Sequence, residues 1–357
     1  MTYKKILIIN IFGIGDVLFT TPMVRNIKEH LPDSFVGYMC NKRALAVLET
    51  NPLIDKFHVY EKDEWRDIFR ESKIHGMREA HRFFLEIART RYDLVIDLSL
   101  NEMMDALTFL AGIRQRIGFN YKARGRFLTT KIPINGFEKK HVVEHYLDLI
   151  KKAGFPATHK KMEVFILDED RQWTERLFKE KVFGPNDLVV GVIPGGGASW
   201  GKDARYRRWA PERHAELADK IIENFNVKVI LMGDPSEKDI AGRVTSAMSH
   251  PALDLVGKTT LGQYLALLSR CRLVVVNDGG PLHMAVAAGA PTVSLIATVD
   301  ERVYGPYPCA GHEIVTKDIV CRPCYRQFRR ADCEHISCLQ TIGVDEVFPA
   351  VGRLLKK

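Results

Sequence analysis

Apolar residues recur along this chain with two different spacings. Short unbroken apolar runs, at 6–9, 94–96 and 273–276, are typical of strands buried on both faces of a sheet. The stretches between such runs place apolar residues three or four positions apart, as in 211–225, which predicts amphipathic helices. Strands and helices that alternate in this way predict a parallel sheet covered by helices.

The predicted elements form two similar series. In the first series we predict strands at 5–10, 35–40, 56–60, 93–98 and 114–119, and helices at 17–30, 44–49, 76–91, 102–111 and 141–153. The charged segment after residue 60 is predicted to be irregular. In the second series we predict strands at 188–193, 228–232, 273–276 and 292–295, and helices at 169–181, 211–225, 237–248 and 261–269, with a further helix starting at Pro281.

A chain of 357 residues is longer than the chains that usually fold around a single hydrophobic core. We therefore predict an α/β protein with two doubly wound, Rossmann-like domains, at 1–165 and 166–357, and a cysteine-rich segment at 309–338. The last helix either stays with the second domain or packs back on the first. Since ligands of such sheets bind beyond the carboxyl ends of the strands, we expect a site in the crevice between the domains.

The charge of the chain narrows the class of partner. A net charge of +8, with a pI near 9.0, favours an anionic partner such as nucleic acid, a phospholipid surface or a phosphorylated substrate. Nucleic acid ranks last, because the chain has neither basic blocks nor an aromatic-interleaved RNA signature. No apolar run approaches the roughly 18 residues of a membrane span, and we expect a cytoplasmic protein.

The segment 273–295 reads as a strand, a turn, a helix and a second strand. Its turn, Asn277 to Gly280, would present backbone N–H groups at the positive end of a helix, which suits a phosphate group. His283 can direct its ring to the same point. The alternative is an ordinary βαβ unit with Asp278 as a cap and His283 in the core.

Another glycine turn, Phe12 to Asp16, follows the first predicted strand. It resembles half of a dinucleotide-binding fingerprint, but Leu18 occupies the place of the third glycine. Asp16 stands where the strand ends and the helix begins. Its carboxylate could be the N-cap of that helix, or a general base at the edge of the crevice.

The turn that follows residue 193 contains a partial P-loop pattern. Residues 196–202 fit GxxxxGK, but Asp203 stands where a P-loop needs a Ser or Thr for magnesium. The helix is also predicted to start only at Pro211, which argues against an NTPase. Lys202, Arg207 and Arg208 suit a diphosphate instead, because such cations can neutralise it without a metal, although a solvated basic loop has the same composition.

A further turn, at 233–237, carries Asp234, Ser236 and Glu237. These residue types are typical of the start of a helix. A carboxylate at this place could also hold the hydroxyl groups of a ribose.

Three groups of motifs follow one another along the chain. They are Gly13-Ile14-Gly15-Asp16 with Thr21-Pro22, then Pro194 to Trp200 with Arg207-Arg208-Trp209-Ala210-Pro211, then Asp278-Gly279-Gly280-Pro281-Leu282-His283 with Ala288-Gly289-Ala290-Pro291-Thr292. In this order they resemble the motifs of the heptosyltransferases of glycosyltransferase family 9, over nearly the whole chain. The resemblance implies a GT-B fold, an N-terminal acceptor domain, a C-terminal domain for a sugar nucleotide (usually ADP-heptose), and inverting transfer without a metal.

The resemblance also implies roles for single residues. Asp16 would be the general base that deprotonates the acceptor hydroxyl. The donor would be held by Ser199, Lys202 and Arg207 at its diphosphate, by Gly279, Gly280 and His283 at its phosphates and sugar, by Glu237 and Thr259 near its nucleoside, and by Asp278 near the heptose. Arg207 stands where the family often has Lys, and it keeps the charge while gaining a bidentate fork. The glycine loop before Ser199 is longer than in the shortest members, which leaves the alignment of Ser199 open.

The expected activity is therefore transfer of heptose from ADP-heptose to a hydroxyl of a lipopolysaccharide core or a related glycan. Such a displacement needs a base on the acceptor side and charge stabilisation on the leaving diphosphate, and closure of the two domains would assemble both. Arg124 is the candidate to bind an anionic glycolipid acceptor such as a Kdo-bearing lipid A core; a solvated loop is the alternative. The positive charge also suits peripheral contact with the cytoplasmic face of the inner membrane.

Four cysteines near the C-terminus form a separate cluster. Cys321, Cys324, Cys333 and Cys338 have a spacing compatible with a small structural zinc or iron site, and disulfides are not expected in the cytoplasm. Reduced thiols without metal are the alternative, and no cofactor is expected for catalysis. Two other functions stay open: a protein O-heptosyltransferase, and a non-catalytic nucleotide-sugar-binding module of the same fold.

Overall fold

The computed structural model describes residues 3–181, 183, 184, 187–197 and 201–356, with Lys202 described by its backbone alone. The chain divides into two compact units. The first comprises Met1–Phe137 and Val142–Lys160, and the second comprises Glu138–His141 and Lys161–Lys357. Each unit is built on its own six-stranded sheet.

The sheet of the first unit has the strand order β3-β2-β1-β4-β5-β6, with every neighbouring pair parallel. Its strands are β1 Lys5–Ile9, β2 Phe35–Cys40, β3 Lys56–Val59, β4 Leu94–Asp97, β5 Gln115–Tyr121 and β6 Thr130–Ile134. Its helices are α1 Ile14–Leu18, α2 Thr21–His30, α3 Lys42–Leu48, α4 Lys62–Glu71, α5 Lys73–Thr90, α6 Glu102–Leu110 and α7 Val142–Lys152. The strand order reverses between β1 and β4, so this is the point at which a ligand crevice is expected.

The sheet of the second unit has the order β12-β11-β10-β7-β8-β9, again parallel throughout. Its strands are β7 Val189–Ile193, β8 Lys228–Leu231, β9 Leu253–Asp254, β10 Leu273–Asn277, β11 Thr292–Leu295 and β12 Glu313–Val315; β13 Tyr325–Arg326 and β14 Arg329–Arg330 pair as a separate hairpin. Its helices are α8 Asp168–Glu180, α9 Pro211–Phe225, α10 Lys238–Ala247, α11 Leu261–Arg270, α12 Gly280–Ala287, α13 Glu301–Tyr304, α14 Ser337–Gln340 and α15 Val344–Leu355, with 3-10 turns at Gly201–Arg207 and Pro235–Glu237. The reversal point of this sheet lies between β10 and β7.

The α/β class and the two doubly wound sheets are confirmed. The prediction of an irregular segment after residue 60 was wrong, because Lys62–Glu71 is the helix α4. An aromatic contact explains it: the Trp65 ring stacks on Tyr60 at 6.1 Å and meets Phe83 edge-on at 5.6 Å. The single helix predicted at 17–30 is two helices, α1 and α2.

The last helix, α15, packs on α9 and on the strands β10, β11 and β12 of the second unit. Its apolar side chains Val347, Ala350 and Val351 join the same buried core as Trp209 and Leu217. Across the described ranges, no helix combines the length and the apolar character that crossing a membrane requires.

Candidate functional site

The turn after β1 is held by two asparagine side chains. Asn10 donates from its amide to the carbonyl of Asp16 at 3.0 Å and accepts from the N–H of Phe12 at 3.2 Å. Asn41 donates to the carbonyls of Ile11 and Phe12, at 3.2 and 2.6 Å. These bonds fix the path of the backbone that leads into α1.

Asp16 lies in the first turn of α1 and is half-buried. The N-cap of this helix is Gly13, so the cap position supplies no side-chain hydrogen bond. The interpretation of Asp16 as an N-cap was therefore wrong, because the helix begins at Ile14 rather than after Asp16. Its role as a general base stays a prediction.

A pair of buried carboxyl groups lies at the same edge of this sheet. Asp97 ends β4 and pairs in register with Ile9 of β1, and its Oδ1 accepts from the N–H of Ser99 at 2.7 Å. Burial raises the pKa of Asp97, and burial together with the charge of Asp97 raises the pKa of Asp105 to about 9. At neutral pH a proton therefore stays on Asp105. In the sequence, Asp97 can be recognised as the acidic residue that directly follows the apolar run 94–96.

In the second unit, the turns after β7 and β10 approach each other closely. Gly279, the N-cap of α12, has φ +148°, and a Cβ atom there would lie 2.2 Å from the carbonyl oxygen of Gly196. The side chain of Asn277 links the same two turns, because it donates to the carbonyl of Pro194 at 2.8 Å and accepts from the N–H of Trp209 at 3.2 Å. The N-terminus of α12 and the glycine turn thus form one surface of backbone.

The buried carboxylate of Glu237 holds the backbone of the glycine turn by hydrogen bonds. It is only 1% exposed, and its two oxygens accept from the N–H groups of Gly197 and Asp234, each at 2.9 Å. Arg208 lies 3.6 Å from the same carboxylate and donates to the carbonyl of Gly195 at 2.7 Å. A Cβ atom at Gly195 would lie 1.9 Å from Glu237, so only glycine fits there.

Asp278 and Arg207 form a buried ion pair at the end of β10. The Nε of Arg207 lies 3.3 Å from the carboxylate of Asp278. Burial raises the pKa of Asp278, and the charges of Arg207 and Arg322 partly oppose that shift. Arg322 belongs to the cysteine-rich segment, and its position is fixed by bonds to the carbonyl of Ala297 at 2.9 Å and to Glu301 at 2.6 Å. Sequence reasoning missed Arg322, which lies 44 residues beyond Asp278.

His283 is buried in the first turn of α12. Burial, together with the nearby charges of His141 and Arg207, lowers its pKa to about 3, so its imidazole is neutral at physiological pH. His141, also missed from the sequence, bonds to the carbonyl of Gly305 at 3.0 Å and stacks on Tyr307 with ring centroids 4.5 Å apart.

The predicted donor residues are therefore only partly brought together. Gly279, Gly280, His283, Asp278, Arg207 and Glu237 lie around the adjoining ends of β7, β8 and β10. Thr259 is half-buried in the loop just before α11, next to its cap Thr260. Ser199 and the side chain of Lys202 lie outside the described residues. A 3-10 turn, not the α-helix that a P-loop requires, begins at Gly201.

Arg124, the predicted acceptor residue, lies in the first unit. Its exposed guanidinium lies 5.7 Å from the centre of the Tyr121 ring. Its role in acceptor binding stays a prediction.

The four clustered cysteines line one pocket together with Arg322 and Arg330. Burial raises the pKa values of Cys324 and Cys338, and the other cysteines of the pocket add to both shifts. As the described side chains stand, however, no three His, Cys, Asp or Glu residues are arranged to hold a metal ion. The pocket also adjoins the donor residues, because Tyr206, which precedes Arg207, lines it and lies 3.9 Å from the Arg330 guanidinium.

Comparison with known proteins agrees with this geometry. Residues 80–335 match the family model of glycosyltransferase family 9 (heptosyltransferase). The lipopolysaccharide core heptosyltransferase OpsX of Haemophilus influenzae is 23% identical over 308 residues, which cover 85% of this chain and 82% of OpsX.

Two solved structures share the fold over nearly the full length. The crystal structure of the glycosyl transferase family 9 protein from Veillonella parvula superposes with a TM-score of 0.83 at 23% identity and covers 100% of this chain and 98% of its own. The structure of Escherichia coli heptosyltransferase WaaC with ADP-2-deoxy-2-fluoro heptose gives a TM-score of 0.69 at 18% identity, with 99% of each chain covered. The chain thus has the GT-B architecture expected from its motifs. Because the family model spans most of the sequence, including every described donor residue, the protein belongs to glycosyltransferase family 9, the heptosyltransferases.

Proposed function

We propose that this glycosyltransferase moves heptose from ADP-heptose to a hydroxyl group of a lipopolysaccharide core acceptor. The observation that carries the proposal is the joined surface at the ends of β7 and β10, where Gly279 approaches the carbonyl of Gly196 beside Arg207. This surface lies within the part matched by the family model. The relatives support the substrates, since OpsX is a core heptosyltransferase and WaaC binds an ADP-heptose analogue.

The donor diphosphate would bind at the N-terminus of α12. Backbone N–H groups there point out of the helix, and the helix dipole favours an anion. Arg207 adds a full positive charge, and its guanidinium group is oriented by the ion pair with Asp278. His283 is neutral and offers a hydrogen bond to a phosphate or sugar oxygen rather than a charge. Ser199 and Lys202 would contribute from the same loop, and Thr259 and Glu237 from the nucleoside side.

Asp16 would be the general base. Its carboxylate takes the proton of the acceptor hydroxyl while that oxygen attacks the anomeric carbon, and the bond from this carbon to the ADP oxygen breaks. A single displacement of this kind inverts the anomeric configuration. The asparagine bonds that fix the turn before α1 support this role, because a base must be held at a constant position.

Fixed cations would stabilise the leaving ADP. Arg207 and the N-terminus of α12 can offset the charge that develops on the β-phosphate, which is the task that a divalent ion performs in metal-dependent transferases. We therefore propose that transfer proceeds without a metal. Turnover should not depend on added Mg²⁺ or Mn²⁺, whereas turnover that requires an added divalent ion would refute this point.

The acceptor would be an anionic glycolipid bound by the first unit, with Arg124 contacting its acidic groups. We place the enzyme on the cytoplasmic side of the inner membrane, where ADP-sugars and a lipid-linked acceptor can meet. Arg124→Gln should raise the KM for the acceptor and leave the KM for ADP-heptose unchanged.

A structural zinc or iron ion at Cys321, Cys324, Cys333 and Cys338 is the remaining part of the proposal. The four thiols line one pocket, but they would have to rotate toward a common point before they could bind an ion. Such an ion would brace the segment that holds Arg322 beside Asp278. Elemental analysis of the purified protein tests it: about one metal per chain is expected, and none in protein purified without chelators would refute it.

The donor is tested by a thermal-shift comparison of nucleotides. ADP and ADP-heptose should stabilise the protein at concentrations where UDP and UDP-glucose do not. A preference for UDP would refute the donor assignment.

A further inference from the structure

Apolar and basic side chains meet at one edge of the first unit. Phe109 and Leu110, at the end of α6, are 48% and 69% exposed, which is unusual for large apolar residues. The ring of Phe127 lies 5.4 Å from that of Phe109. Arg116 lies over the Phe109 ring, Arg126 lies 5.8 Å from the centre of the Phe127 ring, and the exposed Arg114 lies in the loop that follows α6. We call these six residues the α6–β5 patch.

Arg116 holds the patch together. Its guanidinium lies 5.2 Å from the centre of the Phe109 ring and donates to the carbonyl of Phe127 at 2.6 Å. It also donates to the carbonyl of Ile113 in the loop between α6 and β5. The two apolar segments are therefore fixed side by side, and the patch is a built surface rather than two separate exposed residues.

The charge of this surface is positive throughout. Arg114 and Arg126 are exposed, and so are Lys122 and Arg124 in the adjoining loop. In the described parts of the chain, none of these four cations has a carboxylate partner within salt-bridge distance. Asp105, whose charge acts on Arg116, is itself buried.

We propose that the α6–β5 patch docks on the surface of an anionic phospholipid bilayer. Leu110 and the Phe109 ring would enter the interface between head groups and acyl chains, while the arginines contact lipid phosphates. Charge complementarity and exposed apolar side chains within the same patch favour a bilayer over nucleic acid, which would leave Leu110 without a partner. The proposal deepens the proposed function, because a lipid-linked acceptor is reached from such a surface, and Arg124 lies next to it in sequence.

Co-sedimentation with vesicles of phosphatidylcholine containing about one-third phosphatidylglycerol tests the proposal. The wild type should bind these vesicles and not vesicles of pure phosphatidylcholine, with binding that weakens as salt rises. Arg114→Gln and Arg126→Gln should each weaken binding about fivefold, and Leu110→Ser about tenfold. The vesicles contain neither donor nor acceptor, so the outcome does not depend on transferase activity, and the thermal unfolding of each variant serves as the test of folding.

Ile74→Ser is the matched control, since Ile74 is 78% exposed on α5 of the same unit but outside the patch. It should bind vesicles like the wild type. If Ile74→Ser lost as much vesicle binding as Leu110→Ser, the membrane contact would lie on the α4–α5 hairpin. That result would overturn the proposal. Binding to duplex RNA that requires Arg114 and Arg126, with no binding to anionic vesicles, would overturn it as well.

Discussion

Replacing Glu237 with glutamine should disturb the donor site without removing any volume. The wild-type carboxylate accepts one backbone N–H on each oxygen, from Gly197 and from Asp234, both at 2.9 Å. Glutamine has one oxygen and one amide NH₂ group. Whichever way the amide turns, one buried N–H group faces another donor and loses its acceptor.

The size of this effect follows from the burial of the group. A buried N–H without an acceptor costs about 2 kcal/mol, and loss of the charge opposite Arg208, which lies at 3.6 Å, adds about 1 kcal/mol. A total of about 3 kcal/mol lowers the Tm of a unit of this size by roughly 6–12 °C. Because the same N–H of Gly197 belongs to the glycine turn, ADP affinity should fall at least about tenfold.

Calorimetric unfolding and titration with ADP measure both effects. Glu212→Gln is the control, because Glu212 pairs with Arg243 at 2.6 Å on an exposed helix surface, where such pairs contribute about 1 kcal/mol or less. It should change the Tm and the ADP affinity little. If Glu237→Gln behaved like this control in both measurements, the role of the buried carboxylate in shaping the glycine turn would be refuted.

Three further predictions concern the same two sheet edges. Gly279→Ala should weaken ADP binding more than tenfold, because its Cβ would lie 2.2 Å from the Gly196 oxygen; Gly289→Ala, at φ +87° with open space around it, should cost only about 1 kcal/mol of stability and leave ADP binding intact. Asp105 keeps its proton up to about pH 9 in the folded state but loses it near pH 4 when unfolded, so its contribution to stability is present below pH 4 and lost as pH rises toward 9. Asp105→Asn should therefore flatten the decline in urea stability between pH 5 and pH 8, and an unchanged decline would contradict the raised pKa. Because the pKa of His283 is lowered to about 3, its imidazole stays neutral between pH 7.5 and pH 5.5, and we expect the affinity for ADP not to rise over that range. A rise that His283→Gln abolishes would show that the imidazole becomes charged and would contradict the lowered pKa.

Most of the fold could be predicted because its signals are local. The buried runs of β1, β4 and β10 and the helix after Pro211 are each visible within a few residues of sequence. The failures occurred where local pattern and tertiary packing disagree. α4 is charged on most of its surface and has no buried residue, and it packs on the next helix through the contact of Trp65 with Phe83. The strand β6 was not predicted, because it contains Pro133. It lies at the edge of the sheet, where proline is tolerated.

The candidate site divides in the same way. The glycine turns and Asp278 belong to short motifs, so the sequence alone singled them out. Arg322 and His141 act on Asp278 and His283 from distant parts of the chain, and no spacing rule connects them. The assignment of Glu237 to the start of a helix is confirmed, because its side chain accepts from the N–H of Asp234 in a capping box. Its second bond, from the N–H of Gly197, joins it to a turn 40 residues away, which no local pattern could predict. Its role near a ribose stays a prediction.

The most direct test of the account is the turnover of Asp16→Asn with ADP-heptose and a Kdo-bearing lipid A acceptor. Asparagine keeps the shape of the side chain but cannot accept the proton of the attacking hydroxyl. Since general-base catalysis contributes about 10²–10⁴-fold, turnover should fall by at least about a hundredfold while the affinity for ADP stays within about twofold of the wild type. Turnover within tenfold of the wild type would contradict the assignment of Asp16 as the base.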